Sequence, residues 1–285
     1  MLPLFVRAIK FLVGGAFVGV LAWSLLWTVV GLWTEPAQPT AEHEFHKHPE
    51  KVHFASDGVF GKFDKAQLQR GYKVYEEVCA ACHSLSSVSF RELGALGFNE
   101  AQVKNLAKKF DDKAKQPTYN PVTGDRGERG NLPSDRFPHI PYAGAGTPPD
   151  LSLITKARHN GGAYVYSLLT GYVNQAGYKN EKGEELLKAF PSAKTPDGLF
   201  FNPYFANLNL SMPAPLTTDG QVTYDDGKPA TVKQMAEDVS AFLIWTAEPH
   251  MQTRKTVGWA VVLFLLLTTI LAYGAYRSVW AGVKH

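Results

Sequence analysis

Cys79-Ala80-Ala81-Cys82-His83 is the stretch whose residue types and spacing can do chemistry. Two thiols three positions apart, followed directly by an imidazole, form the attachment pattern of a c-type haem. The thiols add to the two porphyrin vinyl groups as the chain turns, and the next side chain is then aimed at the iron. A thioredoxin-like dithiol shares the Cys-x-x-Cys spacing, but it expects a βαβ context and makes no use of the histidine. A zinc site needs further ligands, and these are the only two cysteines in the chain. Neither do two such close cysteines make a disulfide framework. The motif therefore reads as one covalently bound haem c, with His83 as proximal ligand.

The sixth coordination position separates an electron carrier from a haem enzyme or gas sensor, because an open iron binds small molecules. Three methionines beyond the initiator are available. Met235 lies on the apolar face of the last helix before the C-terminal span, and Met251 follows the end of that helix. Met212 lies in Leu-Ser-Met-Pro-Ala-Pro-Leu, where Pro213 and Pro215 stiffen a loop that can hold a weak thioether ligand at low entropic cost. Met212 is the best candidate, against the alternative of a methionine filling a loop-side gap. Haem propionates need cationic or hydrogen-bonding partners. Arg158 is a candidate for that role, or else a solvated arginine at a helix end.

The elements that position these residues read as helices joined by long loops. Asp64 and Gln67 resemble a capping box, and Leu68, Tyr72, Tyr75 and Cys79 follow at helical spacing, so a helix delivers Cys79 at its C-terminal end. Residues 111–149 are loop-like. Pro148-Pro149-Asp150 introduces a short helix reaching Arg158, and another apolar stretch runs from Gly161 to Gly171. A second loop-rich region, Tyr172 to Ala230, precedes a helix opened by a Thr231–Gln234 capping box and closed by Glu248-Pro249. Strand signals are few. The fold class is mainly α: a c-type cytochrome domain with long loops.

Two uncharged runs flank that domain. Phe11 to Trp33 has 23 residues, and Val257 to Tyr276 has 20, preceded by Arg254 and Lys255. Each is long enough to cross a hydrocarbon core of about 30 Å. The first reads as an uncleaved anchor, because a signal peptide has a shorter apolar region followed by small residues at a cleavage site. Arg7 and Lys10 place the N-terminus inside. The expected organisation is a cytoplasmic N-terminus (1–10), a membrane span (11–33), a His-rich linker (34–57), an external domain (58–253), a second span (257–276) and a cytoplasmic tail (277–285). The four linker histidines, His43, His46, His48 and His53, read as solvated and not as a metal site.

The formal charge of +3 mixes unlike regions. Six basic and no acidic residues lie in 1–33 and 254–285, which leaves the middle slightly acidic. Nucleic acid is excluded as a partner, since a phosphate backbone needs a basic face. Asp225, Asp226, Glu237 and Asp238 are candidates for an acceptor-docking surface, or else solvated residues near a helix start.

From Phe60 to Arg277 the chain resembles the cytochrome c1 family, the membrane-anchored haem subunits of the cytochrome bc1 complex. The residues carrying the resemblance begin with Gly71-Tyr72-Lys73-Val74-Tyr75-Glu76-Glu77-Val78-Cys79 and Pro148-Pro149-Asp150-Leu151-Ser152. They continue through Ala157-Arg158-His159, Gly161-Gly162 and Ser167-Leu168-Leu169-Thr170-Gly171-Tyr172. Phe201-Asn202-Pro203-Tyr204-Phe205, Met212-Pro213, Tyr224-Asp225-Asp226-Gly227 and Ala247-Glu248-Pro249 complete the set. The resemblance implies that Met212 is the sixth ligand, that Arg158 holds a propionate, and that Pro149 and Tyr164 pack near the haem. It further implies an electron-transfer subunit of a quinol–cytochrome c oxidoreductase in the bacterial inner membrane, with the haem domain on the periplasmic side. The electron would come from the Rieske iron–sulfur protein and go to a cytochrome c, with cytochrome b as the third core partner. Two features depart from the family pattern. The first apolar segment is unlike the cleaved signal of bacterial relatives, and the second cysteine pair that some relatives carry is absent.

Overall fold

A computed structural model describes residues 2–34, 39–144 and 146–283. Met1, residues 35–38 at the start of the expected linker, Ala145 and residues 284–285 at the end of the expected tail lie outside the described residues. The chain divides into two compact units, Met1–Glu44 and Phe45–His285.

The first unit contains helix α1 (Leu2–Thr34), and a short helix, α2 (Ala41–Phe45), begins within it. From Ala8 to Thr34, α1 is long and apolar enough to cross a membrane. The helix starts well before the expected boundary at residue 11, because a basic residue in an interfacial turn does not interrupt backbone hydrogen bonding.

In the second unit the helices are α3 (Lys65–Glu77), α4 (Glu100–Lys109), α5 (Ile154–Ala157), α6 (Gly161–Thr170), α7 (Leu186–Ala189), α8 (Val232–Ala247) and α9 (Met251–Trp280). Asp64 caps α3 by accepting from the Ala66 and Gln67 amides at 3.0 and 3.4 Å. Neither expected capping box is reciprocal. Gln67 donates instead to Glu237 (3.1 Å), which ties α3 to α8, and Gln234 donates to Asp238 one turn on in α8 itself (2.8 Å). A reciprocal box opens α4 at Asn99 and Gln102, a helix the periodicity did not single out, and Ser89 with Glu92 forms another. The fold is mainly helical with long irregular loops.

Packing centres on α3 against α8. At Gly71 a methyl group would lie 2.0 Å from the Asp238 carbonyl oxygen and 2.7 Å from Phe242 Cβ, so only glycine permits this approach. Beside it, Arg70 binds the Asp238 carboxylate through Nε (2.9 Å) and Nη2 (3.2 Å), while Nη1 reaches Asp226 at 2.6 Å. Asp238 is fully buried. Tyr72 meets Phe242 edge-on and Tyr75 meets it at a tilt, and Phe242 in turn stacks on Trp245. A second aromatic cluster, Phe90, Phe110 and Phe137, joins through Tyr75 and Phe137.

Two small antiparallel hairpins interrupt the loops. Strand β1 (Gln116–Tyr119) pairs with β2 (Arg126–Arg129), Gln116 opposite Arg129, inside the segment read as loop. Strand β3 (Phe200–Phe201) pairs with β4 (Asn209–Leu210). Both are too short to show a period of two in sequence.

The segment from Phe45 to Asp57, expected as solvated linker, is a packed strap. Phe45 is 1% exposed against Tyr178 and Phe190. The Lys47 amide donates to Pro203 O (2.8 Å), and the Glu50 amide to Ser167 Oγ (2.8 Å). Its few apolar residues find a core that its polar composition concealed. Helix α9 likewise begins at Met251, before Arg254 and Lys255, not at 257.

Replacing Arg70 by Ala would strand the buried Asp238 carboxylate. The expected loss is about 3–5 kcal/mol, and Arg70→Met combined with Asp238→Leu should recover much of it. Chemical unfolding of the purified protein, followed by circular dichroism, measures both.

Candidate haem-binding site

Helix α3 ends as the motif begins. The Val78 amide still bonds to Val74 O (3.0 Å), and the chain then tightens into a single 3-10 turn, Cys79–Ala81. The Cys79 carbonyl accepts from both the Cys82 (3.1 Å) and His83 (2.9 Å) amides, and Tyr75 Oη donates to His83 O at 3.0 Å. This turn sets the two thiols and the imidazole in one tight loop.

Both cysteines are unpaired and half-buried. Burial, then the neighbouring Cys82, pushes the Cys79 thiol up to about 12. A helix C-terminus is also the negative end of its dipole and disfavours a thiolate. A thioredoxin-like nucleophile needs the reverse, a thiol lowered at a helix N-terminus. Cys79 is therefore not suited to be the nucleophile of dithiol exchange.

The imidazole is set by a second segment. His83 Nδ1 lies 2.8 Å from Pro149 O, and since a carbonyl only accepts, Nδ1 carries the proton and Nε2 keeps its lone pair. Burial lowers the His83 pKa against the opposing effects of Pro149 and Asp150, which favours the neutral, ligating form. Asp150 fastens the segment in place. Its carboxylate accepts from the Ser86 amide (2.8 Å), Ser86 Oγ (2.6 Å) and the Ser152 amide (2.8 Å), and the Leu151 amide reaches back to Ser84 O (2.9 Å). Burial would raise the Asp150 pKa, but the hydrogen bonds from Ser152 and Ser86 prevail and hold it below the usual carboxylate range.

Arg158, Tyr164 and Met212 are linked to one another through Tyr172. Arg158 is exposed, donates to Ala157 O (3.3 Å), and faces Tyr164, whose pKa burial raises while Arg158 partly opposes the rise. Tyr172, raised by burial and by Tyr164, donates from its hydroxyl to Met212 O at 3.0 Å. Met212 is half-buried just after β4. Met235 is fully buried in the core, and Met251 is buried at the start of α9.

The proposed acidic docking set needs correction. Asp238 is buried against Arg70, so it presents nothing to a partner. Asp226 pairs with Arg70, Asp225 with Lys73 (3.0 Å), and Glu237 accepts from Gln67. Sequence reasoning missed two positioning residues, Asp150 as a fastener and Tyr172 as the support of the Met212 loop. The Asp-x-Ser following a proline pair was a signal for the first. Nothing local marked the second.

A covalently held porphyrin iron fits these residues, with adjacent unpaired thiols and an imidazole whose free nitrogen is Nε2. Such chemistry, on a helical domain next to long apolar helices, is that of the membrane-anchored c-type cytochromes. Residues 54–283 match the family model described as "Cytochrome C1 family". The chain is 42% identical over 246 residues to the cytochrome c1 of Rhodospirillum rubrum, covering 80% of this chain and 86% of that one. It is 44% identical over 241 residues to the cytochrome b/c1 of Bradyrhizobium diazoefficiens, covering 79% of this chain but 34% of that longer protein. It is 35% identical over 290 residues to the mitochondrial cytochrome b-c1 complex catalytic subunit of Candida albicans, covering 97% and 91%. The chain belongs to the cytochrome c1 family. It is a membrane-anchored electron-transfer haem subunit of a cytochrome bc1 complex, a ubiquinol–cytochrome c reductase, and its family implies covalent haem c.

Asp150→Asn should lower the unfolding midpoint by about 2–4 °C at pH 7. A depressed carboxylate stabilises the fold above its unfolded pKa of about 3.9, and that contribution is lost as pH falls through the lower folded value. Midpoints of the two proteins should therefore converge below about pH 4.

Proposed function

We propose that Cys79 and Cys82 would attach one haem c, with His83 and Met212 as the residues that would hold its iron. The carrying observation is the His83 Nδ1 to Pro149 O hydrogen bond, which leaves Nε2 as the only ring nitrogen able to bind iron. When bound, the haem supplies a one-electron iron couple, and the protein makes no bond of its own. His83, held by Pro149 and by Tyr75, stays oriented through the cycle, so little reorganises. Met212, on a loop stiffened by Pro213 and Pro215 and supported by Tyr172, would supply the second protein ligand to the iron and favour a high potential. Arg158 would neutralise a propionate, and Pro149 and Tyr164 would contact the porphyrin.

The electron arrives from the Rieske iron–sulfur protein and leaves to a cytochrome c, with cytochrome b as the neighbouring core subunit. A relative named cytochrome b/c1, of which this chain covers 34%, supports that neighbour. The topology is in–out–in: 34–256 faces the periplasm and both ends face the cytoplasm, across a bacterial inner membrane.

Met212→Leu tests this reading. The oxidised wild type should show a weak near-infrared sulfur-to-iron band and, when reduced, refuse carbon monoxide. The variant should lose the band and bind the gas. Carbon monoxide binding by the wild type would overturn the Met212 assignment in favour of an open-site haem protein.

A further inference from the structure

The loop Phe54–Lys62 is built to a definite shape. Asp57 Oδ2 accepts from the Phe54 amide (2.8 Å), the Asp57 amide returns to Phe54 O (2.9 Å), and the Lys62 amide reaches Ala55 O (2.8 Å). Gly58 is left-handed at φ 69°, and a methyl group on Gly61 would lie 2.0 Å from Asp57 O. Yet this ordered loop carries Phe60 81% exposed and Val59 56% exposed. A tight turn that spends its conformational entropy displaying two large apolar side chains to water needs a partner for them.

Helix α9 shows where that partner is. Lys255 Nζ inserts into the loop and donates to Ser56 O (2.8 Å) and Gly58 O (2.6 Å), with Gly61 O at 3.5 Å. One helical turn further, Trp259 stacks on Phe60, ring centroids 5.7 Å apart and planes 12° apart. Trp259 lies within the uncharged run Val257 to Tyr276, about 6 Å along the axis beyond Lys255. Phe60 is therefore carried level with the first turn of the membrane span. Lys255 satisfies the loop's carbonyls at the border where backbone polar groups leave water. At its base, Phe54 packs into the domain, where its ring would lie 3.0 Å from a methyl on Gly162 of α6, beside Ile244 of α8.

We propose that the loop Ser56–Gly61 is a membrane-dipping finger, with Val59 and Phe60 inserted into the lipid interface beside α9. The occupant of this surface is the bilayer, by continuity with the spanning helix on which the finger lies. The finger gives the external domain a foothold on the membrane beside α9. Together with α9 it limits swivel of the domain about that helix axis and sets the domain's height and tilt. Because Phe54 touches α6, the same foothold bears on the helix that carries Tyr164. The inference goes beyond the haem assignment and rests only on α9 being the membrane anchor.

The test is photocrosslinking in intact membranes containing the assembled complex, with p-benzoylphenylalanine incorporated in place of Phe60 in the full chain. Leu263, exposed in the middle of α9, serves as lipid-facing control, and Val122, 90% exposed in the turn between β1 and β2, as the water-facing one. Mass spectrometry should find phospholipid adducts at position 60 comparable with those at 263 and several-fold above those at 122. Adding Lys255→Gln, which releases the loop carbonyls, should drop the adducts at 60 toward the level at 122. A crosslink at 60 to another protein subunit, no adduct at all, or adducts unaffected by Lys255→Gln would each overturn the finger. Haem content does not enter the readout, so failure here leaves the electron-transfer reading where it stood.

Discussion

At Gly71 the backbone of α8 approaches α3 so closely that no side chain can stand between them. From that approach the rest of the domain takes its position. It places Arg70 within reach of the buried Asp238, aligns Tyr72 and Tyr75 on Phe242, and fixes the axis along which α3 runs toward Cys79. A buried ion pair contributes little net stability relative to an apolar replacement, but it does penalise any other register of the two helices. The haem motif is thus the end of a lever whose fulcrum is a glycine.

The proposed site draws on segments far apart in the chain, and each does a different electrostatic task. The turn after α3 supplies two thiols, of which Cys79 is held protonated by burial. The Pro149–Ser152 segment supplies one carbonyl to orient the imidazole and one carboxylate to hold that carbonyl in place. Tyrosines from α6 and the turn after it support the loop of Met212 and stand next to Arg158. For electron transfer such division is useful, because rigid ligands and preset hydrogen bonds leave little to rearrange when the charge changes.

The membrane enters this architecture as more than an attachment point. Helix α9 starts at Met251, well before its apolar run, and the extra residues are used. Arg254 pairs with Glu248, which also holds Lys156, and Lys255 reaches into the loop at Ser56. The border between water and lipid is therefore a packed joint, in which cations suited to an interface also satisfy backbone carbonyls.

Features that are local along the chain were legible from the residues alone. The haem motif, the apolar runs, the Asp64 and Thr231 caps and the mainly helical class depend on a few consecutive side chains or on composition, so spacing and hydropathy suffice to find them. Distant partners were not legible. Gln67 looks like the second half of a capping box, but Glu237 on α8 offers it a better-placed acceptor. Asp238 looks like a solvated acid near a helix start, and the Phe45–Asp57 strap like a linker, until packing buries them. The carbonyl of Pro149 is chemically the same as any other until folding brings it to a histidine 66 residues away. Sequence alone determined which chemistry the chain can perform, because bond-forming groups are written into residue types. Only the tertiary structure decided how each group is oriented, charged and exposed, because those properties arise from contacts between segments that the chain order leaves far apart.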